Sequence, residues 1–568
     1  FCPTGSLSRK VAIDVIGSVP GTGPRRMNTV KTPYHDEICF ALQIENPYGI
    51  PKSTATFKNG TLLSPWKNCL DEMEQSNNLM PYSLLYRAKK EIVGEFSTKL
   101  KQYIDAGGIC RPLEVQEVVN GIPGIRGIEG QKMTTAAGIK FGKTKGHHLA
   151  SPEYPYVYHT YVYDEVEKQR NLMLAGKRPS NTLNSNLKDE PLKKNKVDSY
   201  RTRVFFSDEL DMMILVGQYF NPVMAYMMQH PKAVHSAIGL NAESYDWECV
   251  LEYLLRKGEK QEAEPTDGVA LDFAAFDKTL PENLMKMSWG VMIDIASQMP
   301  GYTEDDIKVM RIIADEKTTP FIRFNGTLIQ CNFTHTSGNG CTAQIGSIAG
   351  LMMLCISFYS LNDPQNSKKM KAMDFIRSIH LGDDCVSTVI RKNECNFDFL
   401  KLQEELYKYG VTITPPDKES VAQEYQDVLK EDFLKRHFRY CRLRESYVGK
   451  LAEKSLWKSL LYYLPSKIET KEVQLGQSMG SVLKEAALHS EATFDKYCKI
   501  LKPLAEKYDI PIVNGHMTYN DFVVKWAKES GKRHPEYRAK NKPYLQKLAC
   551  DGMIPEQDQE SIFGYVVK

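Results

Sequence analysis

One tripeptide constrains this chain more than any other feature: Gly382-Asp383-Asp384, set between the β-prone runs Ile376–Leu381 and Cys385–Ile390. Two such runs around a glycine-led turn predict an antiparallel hairpin with carboxylates at its tip. A second apolar run, Gly268–Phe273, is short enough for a buried strand and places Asp272 at its end. A helix should start soon after. Thr279 and Glu282 have capping-box spacing, Pro281 suits a first turn, and Leu284, Met287, Val291, Met292 and Ile295 repeat at helical spacing.

Acidic side chains held at a strand end and at a hairpin tip suit hard divalent cations, which take oxygen ligands and only a few carboxylates. Asp272 and Asp383 form such a pair. Each alone is ambiguous, because an aspartate after a strand is as often a cap or turn residue.

At 568 residues the chain exceeds one compact core, so two or three subdomains are expected. A net charge of +3 neither requires nor excludes nucleic acid, since a basic channel fits inside a near-neutral total. Among the 13 cysteines no two lie closer than ten positions, so no local zinc signature exists. A chain this large needs no disulfide framework; reduced thiols and an intracellular setting are expected. The longest apolar stretch, Ile345–Leu361, is broken by Gly346, Ser347, Gly350 and Ser357, and is expected as a buried helix rather than a membrane span. The glycine-rich stretches 121–130 and 138–146 match no P-loop or dinucleotide fingerprint and read as flexible connectors. Beyond residue 440 the composition is helical. There Lys525, Lys528, Lys532, Arg533, Arg538, Lys540, Lys542 and Lys547 crowd together, as a solvated face or a nucleic-acid contact. A first residue of Phe1 rather than Met suits a product of polyprotein cleavage.

The order of three segments is more specific than any one of them. Asp272-Phe-Ala-Ala-Phe-Asp277 precedes Ser337-Gly338-Asn-Gly340-Cys-Thr342, which precedes Gly382-Asp383-Asp384. In that order and spacing the chain resembles the RNA-directed RNA polymerases of picornavirus-like positive-strand RNA viruses, and the segments look like that family's motifs A, B and C. Lys188–Val197 running on to Arg201-Thr-Arg203 resembles motif F. Tyr409–Lys418 is similar to motif D, Phe433–Arg436 to motif E and Thr135–Gly138 to motif G. The resemblance covers about residues 134–439.

The resemblance implies an α+β right-hand polymerase. Fingers would span 1–219, a palm of small antiparallel sheet backed by helices 220–439, with a short fingers insertion at about 309–325, and a helical thumb 440–568. The first residues would bridge fingers to thumb. The reaction implied is template-directed addition of ribonucleoside triphosphates to an RNA 3′ end, with two Mg²⁺ or Mn²⁺ ions. Asp272 and Asp383 would be metal ligands and Asp384 an auxiliary carboxylate. Asp277 would accept a hydrogen bond from the ribose 2′-hydroxyl, the group that distinguishes ribonucleotides, alongside Ser337. The family asparagine nine residues after that serine is Gly346 here, with Thr342 or Gln344 as candidate substitutes. Lys188, Lys196, Arg201 and Arg203 would hold the triphosphate, and Lys418 would protonate the leaving pyrophosphate. Gly338 and Gly340 would let backbone pass close to RNA, while Lys435 and Arg436 would grip primer phosphates.

The partners implied are RNA template and primer, ribonucleoside triphosphates, a genome-linked protein primer and other viral replication proteins. The expected setting is the host-cell cytoplasm, at membrane-associated replication complexes. Two rival readings have distinct sequence signatures. A reverse transcriptase would place a bulky residue at the sugar and an aromatic before its Asp-Asp, where this chain has Asp277 and Gly382. A non-catalytic RNA-binding scaffold would not need Asp272, Asp383, Asp384 and Lys418 together.

Overall fold

The computed structural model describes residues 13–20, 26–73, 78–331, 335, 338, 340–391, 395–538 and 542–567. Two sheets organise it. A five-stranded sheet runs in the order Ile13–Ser18, Thr327–Cys331, Phe321–Phe324, Leu183–Leu187, Val204–Ser207. A four-stranded sheet runs Ile376–Leu381, Asp384–Val389, Gly268–Phe273, Ile413–Thr414, every neighbouring pair antiparallel.

The first sheet draws on two distant parts of the sequence. The Phe321–Cys331 hairpin joins strands from the first 210 residues, its central pairing to Leu183–Leu187 being parallel. Trp66, Phe206, Ile322, Phe324 and Ile329 bury one face of it.

The second sheet is backed by helices Glu282–Ala296 and Thr342–Asn362, which pack on each other and on Tyr82–Phe96. Thr342–Asn362 is, among the described residues, the helix long and apolar enough to cross a membrane, but 89% of its apolar window is buried. It is a core helix, as its interrupting Gly and Ser residues suggested. Gly350 lets it lie close to the hairpin: a Cβ there would meet His380 Nδ1 at 2.8 Å.

One sequence expectation fails at the start of Glu282–Ala296. Pro281 occupies the N-cap, with no side-chain cap bond. Thr279 closes a preceding short helix, Phe276–Thr279, and its hydroxyl donates to the Ala274 and Ala275 carbonyls. Local back-bonding competes with capping for a threonine hydroxyl, and here it wins. The glycine-rich stretches are also not loose connectors. A Cβ on Gly138 would lie 2.2 Å from the Glu209 carboxylate, whose oxygens accept from the Ile139 and Lys140 amides.

The C-terminal helices form their own core around Leu456, Met479, Tyr497 and Trp526. Tyr34 and Ile38 from the N-terminal region complete it. Nearby, Val30–Lys31 pairs with Tyr462–Tyr463, and Thr32 donates its amide and hydroxyl to the Leu461 and Leu460 carbonyls. The two ends of the chain are thereby tied together across the molecule.

Candidate active site

The sheet register brings the candidate carboxylates to one point. Leu271 is opposite Cys385, so the next position along sets Asp272 beside Asp384. On its other edge Asp272 pairs with Thr414. The strand continues one residue past Asp272, to Phe273. Gly382 begins the two-residue hairpin turn with φ +63°, a conformation glycine adopts without strain. Asp383 follows, exposed at the tip, while Asp384 is the half-buried first residue of the returning strand. Burial, and then the negative charge of Asp383, push the Asp384 carboxyl up to about 6; Lys435 opposes this and Asp272 adds to it.

Cations surround this point. Lys418 Nζ lies 2.6 Å from Asp272 Oδ2. The turn that returns it has Lys418 at φ +64° and its amide donating to the Pro415 carbonyl. Above, Lys188 and Arg203 extend the Leu187–Val204 pairing by one rung, the Lys188 amide donating to the Arg203 carbonyl at 2.8 Å. Their side chains share Glu190, at 3.3 Å and 3.8 Å. Arg201 is exposed. Burial holds Lys196 below the usual lysine range, reinforced by Lys418 and Arg203, with Asp272 acting the other way. That influence puts Lys196 within electrostatic reach of Asp272.

Ser337 lies outside the described residues. Around it, Gly338 has φ +109°, and a Cβ there would fall 1.8 Å from the Phe206 carbonyl, so no other residue fits this backbone. Its amide donates to Thr342 Oγ1 at 3.2 Å. Gly340 has room beside it. At Gly346 a Cβ would meet Gly382 Cα at 3.1 Å, Phe276 at 3.3 Å and His335 Nε2 at 3.5 Å. His335 and Phe276 thus occupy the space into which a side chain at 346 would project. His335 was not foreseen from sequence. Its amide donates to the Asp277 carbonyl at 2.9 Å and its Nε2 lies 2.7 Å from the Thr342 carbonyl. Burial lowers its pKa, so it sits as a neutral ring joining the Asp277 segment to the start of helix Thr342–Asn362. Ser347 also fixes the hairpin, its Oγ accepting from the Gly382 amide at 3.0 Å.

The two primer-grip candidates differ from each other. Lys435 is about half exposed, and its charge reaches Asp384, as a phosphate grip would require. Arg436 is committed elsewhere: its guanidinium makes a two-pronged contact with Glu485 and donates to the Gly449 carbonyl. A fork already filled by a carboxylate has little left for phosphate. Nor is the C-terminal lysine cluster one free face. Lys528 pairs with Asp558, Arg533 with Asp246, and Lys542 donates to the Arg444 carbonyl.

Beneath the hairpin, His235 and His380 are fully enclosed, the His380 amide donating to the His235 carbonyl. Burial pushes both imidazoles down to about 3, helped by Arg377 and Arg256 near His235 and by His235 near His380. Depressed folded values mean that the unfolded chain binds more protons as pH falls below about 6.5, so stability is lost on acidification. The pair should cost roughly 3–4 kcal/mol between pH 7 and pH 5. Urea unfolding followed at both pH values should show His380→Gln recovering about half of that slope; an unchanged slope would refute the account.

Three carboxylates at adjoining strand ends and a hairpin tip, with a lysine against one of them, are the arrangement of a nucleotide polymerase palm. The chain matches, over residues 61–505, the family model described as viral RNA-dependent RNA polymerase, and it belongs to that family. It is 24% identical over 349 residues to the replicase polyprotein of acute bee paralysis virus, covering 58% of this chain and 17% of that one. It is 27% identical over 318 residues to the RNA1 polyprotein of cowpea mosaic virus (54% and 16%). With the genome polyprotein of human parechovirus 2 it shares 23% over 464 residues (80% and 19%). The chain therefore spans less than a fifth of these polyproteins. Its fold matches the solved Sicinivirus 3Dpol RNA-dependent RNA polymerase, with TM-score 0.72 and 16% identity, over 90% of this chain and 99% of that one. The α+β right-hand fold is confirmed. The family uses divalent metal in catalysis, and the clustered donor set of Asp272, Asp383 and Asp384, hard oxygens whose charges crowd one another, fits such an ion.

Proposed function

We propose that this chain is the RNA-directed RNA polymerase that copies a picornavirus-like genome, adding ribonucleoside triphosphates to an RNA 3′ end. The observation that carries the reading is the register setting Asp272 beside the Gly382-Asp383-Asp384 turn, with Lys418 Nζ 2.6 Å from Asp272. Asp272 and Asp383 would hold two Mg²⁺ or Mn²⁺ ions, with Asp384 as auxiliary. Bound there, such ions stabilise the attacking and leaving oxygens of an in-line displacement.

The protein's own groups do the rest. Lys188, Lys196, Arg201 and Arg203 bind and orient the triphosphate and screen its leaving charge. Lys418, already beside Asp272, gives a proton to the departing pyrophosphate. Asp277 accepts from the ribose 2′-hydroxyl with Ser337 as partner, and the His335 bridge holds the Asp277 segment in place of the missing side chain at 346. Thr342 steadies Gly338 in the same loop. Gly338 and Gly340 line the RNA path, and Lys435 grips primer phosphate, with Arg436 reassigned to bracing the Arg436–Cys441 strand. Fingers over 1–219, palm over 220–439 and thumb over 440–568 remain the proposed division, the insertion reaching Cys331. A genome-linked protein primer and a place at cytoplasmic membrane-associated complexes follow from the family resemblance.

Primer extension on a defined RNA template tests the reading. Extension should require divalent metal and prefer ribonucleotides, and Asp277→Ala should relax the preference by roughly 10- to 100-fold, the worth of one or two hydrogen bonds. Preference for deoxynucleotides would favour a reverse transcriptase instead. RNA binding without extension would favour a scaffold.

A further inference from the structure

We propose a second metal site, for zinc, where the central region meets the C-terminal helices. Its ligands are Cys249 Sγ, His534 Nδ1 and a Glu536 carboxylate oxygen, all within 4.8 Å of one another. Cys249 is buried in helix Asp246–Leu254. His534 follows helix Tyr519–Arg533, and Glu536 lies in the turn after it. Sγ and Nδ1 are 3.8 Å apart, and Nδ1 and Glu536 Oε1 are 3.0 Å apart. Zinc bonds of about 2.3 Å to sulfur and about 2.0 Å to nitrogen or oxygen, at tetrahedral angles, separate ligand atoms by roughly 3.3–3.6 Å. The observed spacings bracket that range.

Two further features suit a metal. The far side of the imidazole is already fixed, Nε2 lying 2.5 Å from Asp246 Oδ1. Asp246 is itself held by Arg533 and by the Asn241 amide. A carboxylate behind a histidine sets its tautomer and turns the other nitrogen toward a metal. The donor chemistry agrees, because thiolate, imidazole and one carboxylate suit zinc and not Mg²⁺ or Ca²⁺. One thiolate and one carboxylate also neutralise a dication. Cys249, His534 and Asp246 line a cavity of about 520 Å³, which leaves room for water as the fourth ligand. Zinc there staples the end of helix Tyr519–Arg533 to the helix beside the central sheet. The site is separate from the Asp272–Asp383 centre and does not depend on the polymerase reading.

Metal content of the purified full chain, after dialysis against a weak chelator, tests this. The wild type should hold about one zinc per chain. Cobalt replacement should give a thiolate-to-metal charge-transfer band. Cys249→Ser, a near-isosteric change, should lose the band and at least ten-fold in zinc affinity; His534→Gln should lose a similar affinity but keep the band at saturating cobalt, while Asp383→Asn should keep both. Zinc should raise Tm in the wild type and not in Cys249→Ser. Zinc at background level in the wild type, or equal retention by Cys249→Ser, would overturn the site.

Discussion

Asp383→Ala should reduce primer extension by at least about 10³-fold while leaving the fold intact. Loss of a single neutral donor to a transition-state charge costs about 10²–10³ in rate, and a carboxylate that holds a dication contributes more than one donor. The exposed tip position makes this a clean experiment. Asp383 is at the surface, and its removal relieves repulsion on Asp384, so unfolding should shift by no more than about 0.5 kcal/mol. Asp272→Ala should match it in rate, because Asp272 is the other member of the pair across the sheet. Asp384→Asn should cost less. That carboxylate is the auxiliary one, half-buried beside the pair, and the amide reproduces its shape. Single-turnover extension with saturating nucleotide, alongside circular dichroism, measures all three. An Asp383→Ala enzyme within ten-fold of wild type would end the metal-ligand assignment.

How much of this was legible follows from the range over which each signal acts. The Gly268–Phe273 strand and the hairpin around Gly382 were read correctly because alternation, β-branching and a turn glycine act within a few residues. The buried helix at 342–362 was legible for the same reason. What failed was decided by partners distant in sequence. Glu485, 49 positions away, claims Arg436, and nothing near Phe433–Arg436 announces it. A bridge from the N-terminal region was legible through the resemblance but its register was not: Val30–Lys31 pairs with Tyr462–Tyr463, and two-residue strands carry no periodicity to detect. His335 became visible only once Gly346 was seen to press on the Gly382 turn, leaving the ring as the group that fills the gap. Cys249 and His534 lie 285 positions apart, so a search for closely spaced zinc ligands had to miss them. The one short-range error, the capping box at Thr279, arose because one hydroxyl had two local uses and sequence spacing does not rank them.

Lys418→Leu should lower the rate of nucleotide addition by about 10²–10⁴, the usual contribution of a positioned proton donor, with little change in apparent nucleotide affinity. The 2.6 Å contact with Asp272 raises a competing account, in which Lys418 merely balances charge beside the metal ligands. Lys418→Arg separates the two. Arginine keeps the positive charge but does not give up a proton in the accessible pH range. If charge balance is the whole role, Arg restores most of the rate. If proton donation is, Lys418→Arg stays close to Lys418→Leu, and both lose the solvent deuterium isotope effect and the alkaline limb of the pH–rate profile shown by the wild type. The lysine stands on a turn with a left-handed φ, half exposed, so neither substitution removes core packing and a rate loss reports chemistry. Rates for Lys418→Leu within a few-fold of wild type would leave the pyrophosphate to take its proton from water.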